Sequence, residues 1–325
     1  MTVQEQLDNN LQLPVVAAPM FLISSPTMVV ECCKNGVVGT FPALNQRTSE
    51  GFEEWLQQIQ KELADYEAET AKKAAPYGVN LIVHRTNPRV QADLELCVKY
   101  KVPIIITSLG AVPDLVEAVH SYGGMVFHDV TNLRHAQKAA QAKVDGIIAV
   151  AGGAGGHAGT TNPFALIAEI RSFFDGTILL AGCMNNGSDV AALSMGADYA
   201  YMGTRFINTK ESRAVEDYKQ MIIDCGVNDV IYTPAVSGVP ASFMKPSLEK
   251  AGFDMEALLK PGGVDFGSKL KPAEDEAKAW KTVWSAGQGC VGISDVPSIE
   301  GLIDRLKEEF STTLTKQQNW LKKYS

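Results

Sequence analysis

The sequence predicts an α/β chain, a (β/α)8 barrel carrying a small helical insertion. Three observations predict it. Eight short apolar, β-branched runs alternate with helix-like segments, glycine-rich turns follow several of the runs, and the rhythm breaks only after the eighth. The runs are Pro14 to Ala18, Val37 to Thr40, Tyr77 to Val83, Pro103 to Thr107, Gly124 to His128, Gly146 to Val150, Thr177 to Ala181 and Asp198 to Met202. A doubly wound open sheet is the alternative that the same alternation allows.

The helices between the runs carry their own signals. Ser25-Pro26 supplies an N-cap with proline at the first helical position, and Asn35-Gly36 closes that helix. Phe52, Trp55, Leu56, Ile59, Leu63 and Tyr66 recur at helical intervals and predict a buried face. Asn162-Pro163 starts another helix, with Phe164, Ile167 and Ile170 expected inside, and Ser188 precedes a short one ending near Gly196. From Glu211 the pattern changes: Glu211 to Cys225 reads as helix, and Tyr232 through Pro272 is rich in Pro, Gly, Ser and Lys. That stretch is too long for a simple connection. The expected division is therefore a barrel of residues 1–210 and 281–325, with 211–280 as a helical insertion covering the barrel mouth. Leu302, Ile303, Leu306 and Phe310 return the chain to the barrel as one helix face.

Composition narrows the function classes. The chain has 325 residues, 46% hydrophobic and 20% charged, and a formal net charge of -8, which argues against a nucleic-acid or acidic-membrane surface. The start lacks the basic and apolar regions of a signal peptide, so a cytoplasmic location is expected. Six cysteines are scattered without metal-ligand spacing, and buried reduced thiols are the expectation. No metal set emerges.

Chemistry concentrates after the sixth run. Ala151 to Thr161 holds five glycines around His157, a density that suits close backbone approach to a ligand, beside a side chain that exchanges protons near neutral pH. In a barrel, the loops at the C-terminal strand ends build the site. Gly182 after the seventh run, with Gly203 and Thr204 after the eighth, then form a phosphate-site hypothesis from exposed amides, a hydroxyl and nearby helix starts. Arg205 reads either as an anion contact or as an ion pair with Glu211.

Ala17-Ala18-Pro19-Met20, Gly78-Val79-Asn80-Leu81, Ala154-Gly155-Gly156-His157-Ala158-Gly159, Gly203-Thr204-Arg205-Phe206 and Trp284-Ser285-Ala286-Gly287-Gln288 appear in an order that resembles the nitronate monooxygenases, formerly called 2-nitropropane dioxygenases. The resemblance covers most of the chain. It implies an FMN-containing TIM barrel that oxidises an alkyl nitronate with O2 to a carbonyl compound and nitrite by one-electron flavin chemistry. By that resemblance His157 is catalytic. Asn80 and the loop with Gly155 and Gly156 contact the flavin, and Ala18, Pro19 and Met20 border its ring. Gly182, Tyr201, Met202, Gly203 and Thr204 hold the phosphate end, Cys183 touches it through its backbone, and Gln288 faces the flavin region. The implied partners are a small-molecule nitronate and O2, with a homodimer as the candidate assembly.

Departures from that pattern are Gly153 where many relatives carry an acid, Val150 where a polar flavin contact is common, and Gly182-Cys183-Met184 in place of Gly-Gly-Ile. Asp129 stands where some related flavoproteins place a lysine, and is expected to turn away or to pair with a cation. His128 reads as a locally hydrogen-bonded residue or a flavin neighbour, His84 as a loop or pocket residue, and His120 and His135 as helix-surface residues. Two enzyme classes share these motifs and stand as alternatives: NAD(P)H-dependent flavin reductases of quinones, and those of enoyl-acyl-carrier-protein. A non-enzymatic flavin-binding protein is the third.

Overall fold

The computed structural model describes residues 1–84, 86–108, 110, 113–234, 236, 238–259 and 283–324. Its strands in chain order are β1 (Val15–Ala17), β2 (Val38–Pro42), β3 (Tyr77–Ile82), β4 (Ile104–Ser108), β5 (Met125–Val130), β6 (Gly146–Val150), β7 (Gly156–His157), β8 (Thr177–Ala181), β9 (Tyr199–Met202), β10 (Val230–Thr233) and β11 (Ala241–Met244). Eight of these, β1 to β6 with β8 and β9, close a parallel barrel in sequence order. The seam pairs Val16 with Tyr201. The open-sheet alternative is thereby excluded, and each barrel strand coincides with an expected run to within two residues.

Two-residue alternation sorts the barrel into two apolar layers. Val16, Val38, Ile104, Ile106, Phe127, Ile148 and Leu179 fill the inside. Phe41, Val79, Ile105, Val126, Ile147 and Ile178 face the helices. The helix Ser49–Thr70 begins where Thr48 accepts the Gly51 amide, and buries Phe52, Trp55, Leu56 and Ile59. Phe41 meets the Phe52 and Trp55 rings at centroid distances of 6.0 and 5.6 Å. Truncating a fully buried phenylalanine of this kind costs about 3–5 kcal/mol.

The caps follow the sequence signals. Ser25 accepts the Met28 amide at 3.3 Å, and Asn162 accepts that of Phe164 at 3.0 Å. The inner face of the helix Pro163–Arg171 is Leu166, Ile167 and Ile170. Phe164, expected inside, is 66% exposed, because the buried stripe returns through Leu166 rather than through the first turn.

The C-terminal helix Ile299–Tyr324 buries Ile299, Leu302, Ile303 and Leu306 and lies against the short helix Gly187–Ala191. A side chain at Gly187 would sit 2.1 Å from the Leu306 carbonyl, so only glycine permits this approach.

Residues 211–259 differ from a purely helical segment. The helix begins at Glu216 rather than Glu211, and Val230-Ile231-Tyr232-Thr233 forms β10, antiparallel to β11. The far strand of that sheet is β7, with Ala241 opposite His157. The glycine-histidine loop thus joins the barrel to this outlying sheet. The remainder of the expected 211–280 segment, from 260 onward, and its boundary at 280 lie outside the described residues. Among the described residues no helix is long and apolar enough to cross a membrane.

Candidate active site

At the C-terminal end of the barrel the inward-facing ring turns polar on one side. Strand alternation places Asn80 on β3, Ser108 on β4 and Asp129 on β5 above the apolar Ile106 and Phe127. Asn80 Nδ2 donates to Ser108 Oγ at 2.8 Å and to the Ile106 carbonyl at 3.3 Å. Ser108 Oγ donates in turn to Asp129 Oδ2 at 2.5 Å. Burial pushes the Asp129 carboxyl up to about 6, against the lowering pull of the Ser108 hydrogen bond. Across the ring stand the small or apolar Ala18, Val150 and Ala181, with Tyr201. Burial and the Asp129 charge hold the Tyr201 phenol well above its ordinary range.

Asp129 therefore does not turn away, and among the described residues it meets no cation. It faces inward, and burial raises its carboxyl to about 6, so that it takes up a proton more readily than an exposed aspartate. Its neighbour His128 points to the opposite, helix-facing side, where Nδ1 lies 2.7 Å from Thr107 Oγ1. Burial lowers that imidazole to about 4, so it is a neutral structural group and not a mouth residue.

Ala18, Pro19 and Met20 form the turn after β1. The Ala18 amide donates to the Met202 carbonyl at 2.9 Å, which ties the first strand end to the last. Asn45 fixes the rest: Nδ2 donates to the Met20 and Ser24 carbonyls at 3.1 and 2.9 Å, and Oδ1 accepts the Leu22 amide at 2.9 Å. The Met202 side chain is buried with Val15, Ala17 and Met28 on the helix side, so only its main chain reaches this end.

The ends of β8 and β9 supply donors. Among the described residues, the amides of Gly182, Cys183, Met184, Gly203 and Thr204 donate to no protein acceptor. Cys183 holds a left-handed φ of 56°, unusual for a residue with a side chain and typical of functional turns. Cys183 is also the one exposed thiol among the six, and burial and Asp189 raise its pKa above the ordinary value. Five amides on adjacent strand ends fit a phosphate held by backbone. The helix start after β8 is not part of that set. Asp189 Oδ2 accepts the Asn185 and Asn186 amides at 2.9 and 3.0 Å, and Glu309 accepts that of Gly187 at 2.7 Å. Arg205 also lies apart from the donors. Its buried guanidinium pairs with Asp295 at 3.2 Å, while Glu211, the partner expected from sequence, accepts the Ile299 amide.

The glycine-histidine loop is clamped from above by residues 284–290. The Gly287 amide donates to Thr204 Oγ1 at 2.9 Å, and the Gln288 amide to the Gly153 carbonyl at 2.9 Å. Ser285 Oγ accepts the Gly156 amide at 2.8 Å and donates to the Ser242 carbonyl at 2.5 Å. A side chain at Gly287 would lie 2.7 Å from the Gly153 carbonyl and 2.8 Å from the Gly155 amide nitrogen. Gly155 is thus spent on close packing against Gly287. Trp284 stacks on Tyr218 with centroids 5.1 Å apart, anchoring the clamp to the helix Glu216–Asp224.

His157 itself lies in β7 and is exposed. A cavity of about 400 Å³ opens beside its loop, lined by Gly152, Gly153, Thr160, Tyr232, Ser242 and Gln288 among others. Sequence reasoning missed Ser108 and Asn45, and quoted Ser285 within a motif without giving it a role. Ser108 was legible, because it follows Ile104 and Ile106 at the two-residue step that points inward; Asn45 carries no local signal, and the partners of Ser285 lie far away in sequence.

A family profile described as nitronate monooxygenase matches residues 6–309. The nitronate monooxygenase of Paraburkholderia phytofirmans is 25% identical over 93% of each chain. A (3aS,4S,5R,7aS)-5-hydroxy-7a-methyl-1-oxo-octahydro-1H-indene-4-carboxyl-CoA dehydrogenase of Rhodococcus jostii is 25% identical over 73% of this chain, which spans 64% of that relative's length. In fold, the nitroalkane oxidase of Streptomyces ansochromogenes superposes with a TM-score of 0.79 at 22% identity, covering 96% of this chain and 99% of the other. A closed barrel whose mouth joins unpartnered backbone amides to a histidine-bearing glycine loop, matched along nearly its whole length, belongs to the nitronate monooxygenase family of flavin-dependent oxidoreductases.

Proposed function

We propose that this chain is an FMN-dependent nitronate monooxygenase, oxidising an alkyl nitronate with O2 to a carbonyl compound and nitrite. The observation that carries the reading is the meeting, at one barrel end, of five unpartnered amides with the loop that bears His157. Those amides, from Gly182, Cys183, Met184, Gly203 and Thr204, would hold the phosphate, and Thr204 Oγ1 keeps a hydroxyl proton to donate while accepting from Gly287. Ala18, Pro19, Met20 and Asn80 would border the ring end, with Gln288 over the glycine loop. When bound, FMN supplies the electron transfer between nitronate and oxygen.

The protein's part is placement and charge. His157 would orient the anionic nitronate and, for a neutral nitroalkane, take the proton from the carbon next to the nitro group. Residues 211–259, joined to the loop through β11 and β7, would cover the substrate as part of the 211–280 unit.

Aerobic nitrite release from ethylnitronate or propionate 3-nitronate, measured beside anaerobic absorbance changes on adding the nitronate or NADH, tests the reading. Nitrite formed without NADH is expected, and His157→Ala should retain FMN while losing about a hundredfold in turnover. Rapid bleaching by NADH with no nitronate turnover would replace it with the reductase reading. Full turnover in His157→Ala would remove the histidine from the chemistry.

A further inference from the structure

Asp129 is the single aspartate, glutamate, lysine or arginine on the eight barrel strands. It stands on the inward face, just above the apolar interior, and is partly accessible from the mouth. We propose that Asp129 is a charge gate for anionic ligands: as the neutral acid it admits an anion to the barrel mouth, and as the carboxylate it turns the same anion away.

The direction of the hydrogen-bond chain supports this. Asn80 can only donate through Nδ2, so Ser108 accepts from it and gives its own proton to Asp129 Oδ2. With Oδ2 committed as an acceptor, the acid's proton belongs on Oδ1. Oδ1 has no protein partner among the described residues. A neutral Asp129 is thus an O–H donor at the mouth, whereas an ionised one presents a negative charge there that only Ser108 solvates among the described residues.

The other groups around it leave that choice to pH. Asn80, Ser108 and, from β6, Ile148 and Val150 do not titrate. Tyr201 on β9 is itself held neutral, in part by Asp129. His128 faces the other side of the sheet against Thr107, and His157 belongs to the glycine loop at the same barrel end. Burial and the Ser108 hydrogen bond together set the carboxyl at about 6.

The gate rests on the nitronate reading for its natural ligand, but its test does not. Nitrate shares the planar O–N–O head of a nitronate and is not turned over. It would be titrated into FMN-loaded protein by flavin absorbance, about one pH unit either side of 6. Wild-type affinity should fall about tenfold as pH rises. Asp129→Asn should remove that dependence, and Ser108→Ala, which deletes a bond favouring the carboxylate, should move the midpoint to higher pH.

Carbon-13 aspartate resonances of the apoprotein give a readout independent of flavin: one should titrate near 6 and vanish in Asp129→Asn. Equal pH slopes in wild type and Asp129→Asn overturn the gate. So does nitrate that leaves the flavin unperturbed at both ends of the range, or an Asp129 resonance titrating in the ordinary carboxylate range. Gated nitrate binding without nitronate turnover would instead refute the activity and leave the gate standing.

Discussion

Asn45 holds the turn after β1 through three hydrogen bonds from one side chain, to Met20, Leu22 and Ser24. The Met20 carbonyl also accepts the Ile23 and Ser24 amides, but among the described residues the Ser24 carbonyl and the Leu22 amide are bonded by Asn45. Asn45→Ala should therefore cost about 1–3 kcal/mol, seen as a lower urea midpoint. Because the same turn presents Ala18, Pro19 and Met20, FMN titrated into the apoprotein should bind several-fold more weakly. Unchanged affinity would show that the turn holds its shape without the asparagine. Residue identity was readable where chemistry is local, as with the Ser25 and Asn162 caps. It was unreadable where a side chain works across the chain: Asn45 serves residues more than twenty positions away, and Arg205 chose Asp295, ninety positions distant, over nearby Glu211.

Among the elements, the clamp formed by residues 284–290 decides the shape of the glycine loop. Gly287 and Gly155 face each other at distances no side chain tolerates, with backbone rather than movable side-chain atoms on the other side. Gly287→Ala should force the two segments apart, lowering both thermal stability and flavin retention. A crystal structure or FMN titration of the variant that matches wild type would refute this. The barrel strands were legible because each is a buried apolar run bounded by turn residues. The sheet of β7, β10 and β11 was not. Two residues make β7, and no periodicity exists in so short a strand; its partners come from a stretch whose composition reads as loop.

For the whole molecule, two adjacent residues on opposite faces of β5 set competing pH responses. His128 titrates at about 4 in the fold against an ordinary 6.5, so the folded state binds fewer protons between those values. Its contribution is fully present above 6.5 and is lost as pH falls through about 4. Asp129 is raised from 3.8 to about 6, so the folded state binds more protons there, and stability declines as pH rises across that window. The two slopes oppose. Asp129→Asn should expose the histidine slope, making stability rise more steeply between pH 4 and 6.5 than in wild type. Urea midpoints across that range check it, and parallel curves for the two proteins would refute it.

The two-residue strand β7 has a mechanical meaning. It lies in the loop that leaves β6 of the barrel wall, and by hydrogen bonding it belongs to β11 and, through it, β10. Any swing of that hairpin that preserves the ladder must carry His157 with it. On the reading proposed above, cover and acid-base group would travel as one body, and a mouth opened wide enough to release product would also be one from which the histidine has been withdrawn.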